Sequence, residues 1–174
     1  MRNEFLPFHL PTFGDEEFKA VEEVLHSGWL TTGPKVKQFE QEFAKYIGAR
    51  HAIAVNSGTA ALHLALDAVG IKERDEVIVP TMTFAATAEV VHYLKARPVL
   101  VDCQSGAFNI DPKDVERKIT RKTKAIVPVH FGGEPCEMDL LSEIARHHNL
   151  RVIEDAAHAL PAKHREKTVG TIGD

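Results

Sequence analysis

Apolar residues recur at helical spacing near the start of the chain and give way to short apolar runs further on. Phe18, Val21, Val24 and Leu25 form one stripe of a helix predicted over Asp15–His26, which Gly28 ends. Trp29 to Pro34 reads as a loop, with Pro34 suited to the first turn of a second helix. That helix is expected to bury Phe39, Phe43 and either Tyr46 or Ile47, and to stop at Gly48.

From residue 51 a βα rhythm sets in. Strands are predicted at His51–Val55, Glu76–Val79, Pro98–Val101, Lys124–Val129 and Arg151–Ile153. Helices are predicted at Gly58–Val69, Phe84–Lys95, Pro112–Lys118 and Asp139–His148, with Asp111 as a natural cap. This alternation predicts an α/β fold, a mostly parallel sheet with helices on both faces. No repeat, low-complexity tract or linker divides the visible chain, which reads as one domain. Lys163 onward reads as a polar turn followed by Val169-Gly170-Thr171-Ile172-Gly173-Asp174, a domain interrupted within its sheet.

Composition narrows the function classes. Hydrophobic content of 44% and charged content of 26% describe an ordinary globular protein. A net charge of −4 with scattered Lys and Arg offers no basic face for nucleic acid. The charged stretch Lys113 to Lys124 reads as a solvated helix and loop. Cys103 and Cys136 make no CxxC pair, which argues against a disulfide framework or a zinc site. The 10 His residues spell no metal-ligand set. His147-His148 ends a helical pattern, where the last carbonyls favour cations. Met1–Phe5 lacks the apolar core of a signal peptide, and no run approaches membrane-spanning length. The expectation is a reduced, cytoplasmic protein with no membrane or metal partner.

Three groups of candidate residues fall at carboxyl ends of strands, where open α/β sheets bind ligands. Ser57-Gly58-Thr59 opens a helix, so its N–H groups and dipole favour an anion such as a phosphate. Gly58 permits close approach, and the two hydroxyls are donors; the alternative is that Ser57 only caps the helix. Asp155 follows the strand Val152-Ile153-Glu154. It suits a carboxylate that keeps a pyridine nitrogen protonated, or one that caps the next turn. Alternation sends Glu154 to the other side. His158 reads either as a partner for a cofactor oxygen or as a satisfied structural histidine. Phe84, after Pro80-Thr81-Met82-Thr83, reads as a stacking ring or as a core aromatic. Asp102 and His130 also end strands and read as structural.

The segments Gly28–Pro34, Asn56–Leu62, Pro80–Thr87, Pro128–Gly133 and Glu154–Ala159 together resemble the DegT/StrS family of sugar aminotransferases, pyridoxal phosphate (PLP) enzymes of fold type I. The resemblance covers nearly the whole chain. It implies the large PLP-binding domain, with helices and a substrate-facing loop in residues 1–50 and the βα sheet portion in 51–174. It implies pyridoxal 5'-phosphate as cofactor, with Ser57, Gly58 and Thr59 at the phosphate and Phe84 on the ring. Asp155 would lie at the ring nitrogen and His158 near the phenolic oxygen. Thr31 and Thr32 would face the sugar.

The implied reaction moves an amine from an amino acid such as glutamate to a keto group on a nucleotide-linked sugar, for polysaccharide or related amino-sugar synthesis. It also implies a homodimer, a small C-terminal domain beyond this sequence and a Schiff-base lysine downstream of Asp174. Lys163 and Lys167 do not fit that lysine, because nothing in their polar turn desolvates an amine. Two rivals stand beside this reading. One is a dehydratase of the same family, working with pyridoxamine phosphate, in which a histidine replaces the lysine. The other is a non-catalytic relative with the same fold.

Overall fold

The computed structural model describes Phe5 and residues 10–174. The Met1–Glu4 stretch weighed above for a signal peptide lies outside the described residues. Helix α1 spans Asp15–Ser27 and α2 spans Pro34–Ile47. Both stop at left-handed glycines, Gly28 (φ 67°) and Gly48 (φ 78°), as the sequence predicts. There follow α3 (Gly58–Ala68), β1 (Glu76–Pro80), α4 (Ala86–Tyr93), β2 (Arg97–Val101), α5 (Pro112–Lys118) and β3 (Thr123–Ile126). Then come α6 (Met138–His148), β4 (Arg151–Val152), and a hairpin of β5 (Lys163–His164) with β6 (Lys167–Thr168).

The main sheet is parallel throughout, in the order β2-β1-β3-β4. Its central strands are apolar on both sides because helices cover both faces. Val77, Val79, Ala125 and Val127 join Leu62 and Leu66 of α3 and Val90 and Val91 of α4 in one core. Ile78, Val101, Ile126 and Val152 point the other way, into a core shared with Val115 of α5 and Leu141 of α6. The period of two along each strand therefore divides one sheet between two cores.

The structure corrects several expectations. Residues 51–55 form no strand. A strand needs a neighbouring ladder, and here the Ala54 N–H instead donates to Glu40 Oε1 at 2.9 Å while Ile53 is exposed. In α2 only Ala44 is buried; Phe39 and Tyr46 are exposed, and Phe39 stacks on Phe43 instead. The stripe of α1 buries no residue either. No described core residue covers these two faces. β3 ends at Ile126 rather than Val129 because Pro128 lacks an N–H; only an isolated bridge, Val129 with Asp155, continues it. The polar turn after Lys163 closes as a two-stranded hairpin. Among the described residues no helix is long and apolar enough to cross a membrane.

The charged stretch at α5 is not wholly solvated. Asp111 caps α5 through the Lys113 N–H, but Asp114 is buried. Its Oδ2 accepts the Asp102 N–H at 2.8 Å, and Arg117 and Lys118 reach it from solvent at 2.6 and 2.9 Å. The Asp102 N–H bond, aided by these two cations against the cost of burial, brings its pKa down to about 2. Arg117 is largely solvated and Lys118 partly so, and the backbone donor carries the largest share of the shift. Asp114→Ala orphans that donor and is expected to cost about 2–4 kcal/mol in urea unfolding. Because folding lowers this pKa, the carboxylate's contribution is complete above about pH 4 and fades as pH falls towards 2. The variant should therefore lose stability less steeply than the parent over that window.

Candidate functional site

The chain leaves β4 at Ile153, whose N–H donates to Ile126 O at 3.0 Å. Asp155 stays in line with the extension of β3. Its N–H donates to Pro128 O (2.9 Å), and its carbonyl accepts the His130 N–H (3.1 Å). Backbone pairing on this side fixes where the Asp155 side chain emerges.

The Asp155 carboxylate is buried, with 8% of the residue exposed. Oδ2 accepts the Thr87 hydroxyl at 2.8 Å, and Oδ1 accepts the Ala157 N–H at 3.2 Å. Thr87 lies 2.7 Å from the Thr83 hydroxyl. Since the single Thr87 proton goes to Asp155, Thr83 donates to Thr87. The turn-capping alternative is thus part of the truth. A carboxylate nevertheless has about four lone-pair sites, and acceptor capacity remains for a further N–H or O–H. Thr83 and Thr87 escaped the sequence reading. Their only signal is the i, i+4 spacing of two hydroxyls across the start of α4.

Glu154 emerges towards different partners, as strand alternation predicts. His130 Nε2 lies 2.9 Å from Glu154 Oε2, and both side chains are almost fully buried. The tautomer follows from the other ring nitrogen. His130 Nδ1 accepts the Cys136 N–H at 3.0 Å, so Nε2 carries the proton and donates to Glu154. Burial alone would raise the pKa of Glu154; hydrogen bonds from His130 and the Gly173, Gly170 and Ile172 amides outweigh it and hold the group ionised below its ordinary range. Burial pushes the Cys136 thiol up to about 12, which makes it an inert core group.

Ser57 caps α3, its Oγ accepting the Ala60 N–H at 3.1 Å. Its proton faces Asn56 Oδ1 at a loose 3.5 Å and remains available. The first intrahelical bond comes from Ala61, which leaves the Gly58 and Thr59 N–H groups without an acceptor among the described residues. A Cβ at Gly58 would meet nothing within 4 Å, so the helix start opens onto free space. This arrangement accepts an anion chemically.

Phe84 lies just before α4 and is 74% exposed, which overturns the core-aromatic alternative. His158 is exposed too and makes no hydrogen bond among the described residues, so it is not a satisfied structural histidine. It meets the edge of Phe131 at 5.7 Å between ring centroids, and Phe131 meets Phe108 at 5.3 Å. A free imidazole and a free phenyl ring are thus presented on the segments that bracket the Asp155–Thr87 bond.

Thr31 and Thr32 lie apart from this group. Thr32 O accepts the Trp29 indole N–H at 3.0 Å, and Trp29 packs so closely on Gly33 that a Cβ there would fall 2.4 Å from Nε1. Thr31 lines a cavity of about 440 Å³ with residues of α1 and α2. No described hydrogen bond or ring contact joins either threonine to Asp155, Phe84 or His158. Helix α3 packs on α4, the helix that carries Thr87, and no described hydrogen bond joins the α3 start itself to Asp155, Phe84 or His158.

Several known proteins are similar to this chain. Spore coat polysaccharide biosynthesis protein SpsC of Bacillus subtilis (strain 168) is 52% identical over 173 residues, 99% of this chain and 44% of that protein. The aminotransferase from Psychrobacter cryohalolentis is 43% identical with a TM-score of 0.91, over 96% of this chain and 43% of that one. A GDP-4-keto-6-deoxymannose-3-dehydratase, solved with a trapped PLP-glutamate geminal diamine, is 32% identical with a TM-score of 0.90, over 96% and 45% of the two chains. The chain thus spans less than half the length of each. A profile of one family matches residues 11–174. The chain belongs to the DegT/DnrJ/EryC1/StrS aminotransferase family, and this membership indicates pyridoxal 5'-phosphate as its cofactor.

Proposed function

We propose that the full-length protein transfers an amino group from an amino acid such as glutamate to a keto carbon of a nucleotide-linked sugar. The observation that carries this is the buried Asp155 carboxylate, oriented by Thr87 and Ala157 with acceptor capacity unspent. When bound, the cofactor supplies an electron sink for cleavage of a bond next to nitrogen. Asp155 would hold a proton at the ring nitrogen, because a buried negative charge favours the cationic form of its neighbour. Ser57 Oγ and the Gly58 and Thr59 N–H groups bind the phosphate at the positive end of α3. Phe84 covers one face of the ring and excludes water from it. His158, steadied edge-on by Phe131, donates to the phenolic oxygen.

On this reading residues 51–174 form the sheet portion of the cofactor-binding domain, and residues 1–50 carry the loop in which Thr31 and Thr32 face the sugar. Two copies and a cytoplasmic setting complete the proposal. The name of the Bacillus relative supports an amino sugar destined for a surface polysaccharide.

The test is optical and chemical. The full-length protein incubated with PLP should gain a visible absorption band, borohydride should fix the cofactor to it, and glutamate should bleach the band. A colourless protein in which borohydride fixes nothing would sink the aminotransferase reading. The likeness to the GDP-sugar enzyme supports a second reading, a dehydratase of this family working with pyridoxamine phosphate. Loss of water from the sugar with no amine transferred would favour it.

A further inference from the structure

Glu154 receives four donors and touches no candidate ligand residue directly. Oε1 accepts the Ile172 and Gly173 N–H groups at 2.6 and 2.7 Å. Oε2 accepts the Gly170 N–H at 2.7 Å and the His130 Nε2–H at 2.9 Å. Its side chain is 3% exposed. Two separate pieces of chain therefore converge on one carboxylate. One is the turn after β3, where the His130 N–H also holds the Asp155 carbonyl. The other is the 170–174 segment, which the Asp174 N–H ties to Val152 O at 2.8 Å. Room there is scant: a Cβ at Gly173 would fall 2.4 Å from Val152 O, and one at Gly170 would fall 3.2 Å from the Ala156 Cβ.

We propose that Glu154 is a positioning residue for Asp155: by gathering His130 and the Gly170, Ile172 and Gly173 amides it locks the backbone on both sides of Asp155 and so sets the aim of that carboxylate. This rests on the assignment of Asp155 to the ring nitrogen. The chemistry requires an acceptor on every side. His130 cannot adapt, because its Nδ1 is committed to the Cys136 N–H and its Nε2 can only donate. A glutamine in place of Glu154 would turn an amide NH₂ towards at least one existing donor, whichever way it is flipped.

The experiment compares Glu154→Gln, Glu154→Asp and Asp155→Asn in the full-length protein loaded with PLP. Three readouts are used: amide hydrogen exchange at Gly170, Ile172 and Gly173, the dissociation constant for PLP, and the pH midpoint of the visible band. Glu154→Gln should speed exchange at those three amides by tenfold or more. It should weaken PLP binding about tenfold and move the pH midpoint in the same direction as Asp155→Asn, by a smaller amount. Glu154→Asp retains the charge and should give a milder version of each change. If Glu154→Gln does not fold, the Asp variant carries the comparison. Faster exchange with unmoved PLP affinity and midpoint would make Glu154 a structural clamp only and overturn the proposal. If the midpoint does not respond to Asp155→Asn either, the Asp155 assignment itself fails, and the Glu154 proposal falls with it.

Discussion

Asp155→Asn in the full-length protein is expected to lower turnover by about a thousandfold, roughly 4 kcal/mol of transition-state stabilisation. The carboxylate uses both oxygens, Oδ2 for Thr87 and Oδ1 for the Ala157 N–H. An amide offers one acceptor oxygen in the same space. It therefore loses the charge that stabilises a ring N–H, while its oxygen can keep the Ala157 N–H and its NH₂ can donate to the Thr87 hydroxyl, which turns to donate to Thr83. Asp155→Ala should cost at least as much, but it also orphans the buried Thr87 hydroxyl, so the Asn variant isolates the charge better. Single-turnover measurement of the half-reaction with the amino donor checks the result without interference from sugar binding. Thr87→Val supplies the control. Thr87 acts only through Asp155, so its loss should cost about tenfold alone and almost nothing on the Asn background. Near-normal turnover in Asp155→Asn would remove the central assignment.

The parts of this site differ in how far local sequence reveals them. Unbroken apolar runs such as Val77–Val79 announce a strand covered on both faces, and the structure buries all three residues. Residues 51–55 carry a similar apolar signal yet form no strand, because a strand is defined by the hydrogen bonds of its neighbour and none of the described residues supplies them. The stripes of α1 and α2 likewise announce helices correctly without showing what covers them. Asp155 is legible because an apolar strand delivers it to a turn. Thr87 is not, because a hydroxyl at a helix start gives no local sign of a partner 68 residues away. Alternation tells which side Glu154 takes, but the convergence of His130 and three amides on it appears only once the 170–174 segment is folded back along β4. Asp114 makes the same point: an acid within a charged stretch looks solvated until the Asp102 N–H is seen to need it.

Gly58→Asp is expected to leave α3 as stable as before, or more so, while severely weakening capture of the phosphate. Gly58 has ordinary negative-φ geometry, and a side chain there meets nothing within 4 Å, so the protein has no steric reason to reject the change. The first turn of α3 carries no acidic residue. A carboxylate at that point interacts favourably with the helix dipole, worth about 0.3–1 kcal/mol. The same carboxylate stands where the phosphate would sit. Two like charges about 4 Å apart repel by about 4 kcal/mol at an effective dielectric constant near 20, which is roughly a thousandfold in the dissociation constant for PLP. Stability and affinity thus move in opposite directions, an outcome that general damage to the fold does not produce. Ser57→Ala supplies the contrast. It removes the cap on the Ala60 N–H and should cost about 1 kcal/mol of stability, with a smaller loss of affinity. Thermal unfolding without cofactor and titration with PLP read the two quantities separately. If Gly58→Asp binds PLP as tightly as the parent, the phosphate does not lie at the start of α3, and the anion preference of that helix end has no part in holding the cofactor.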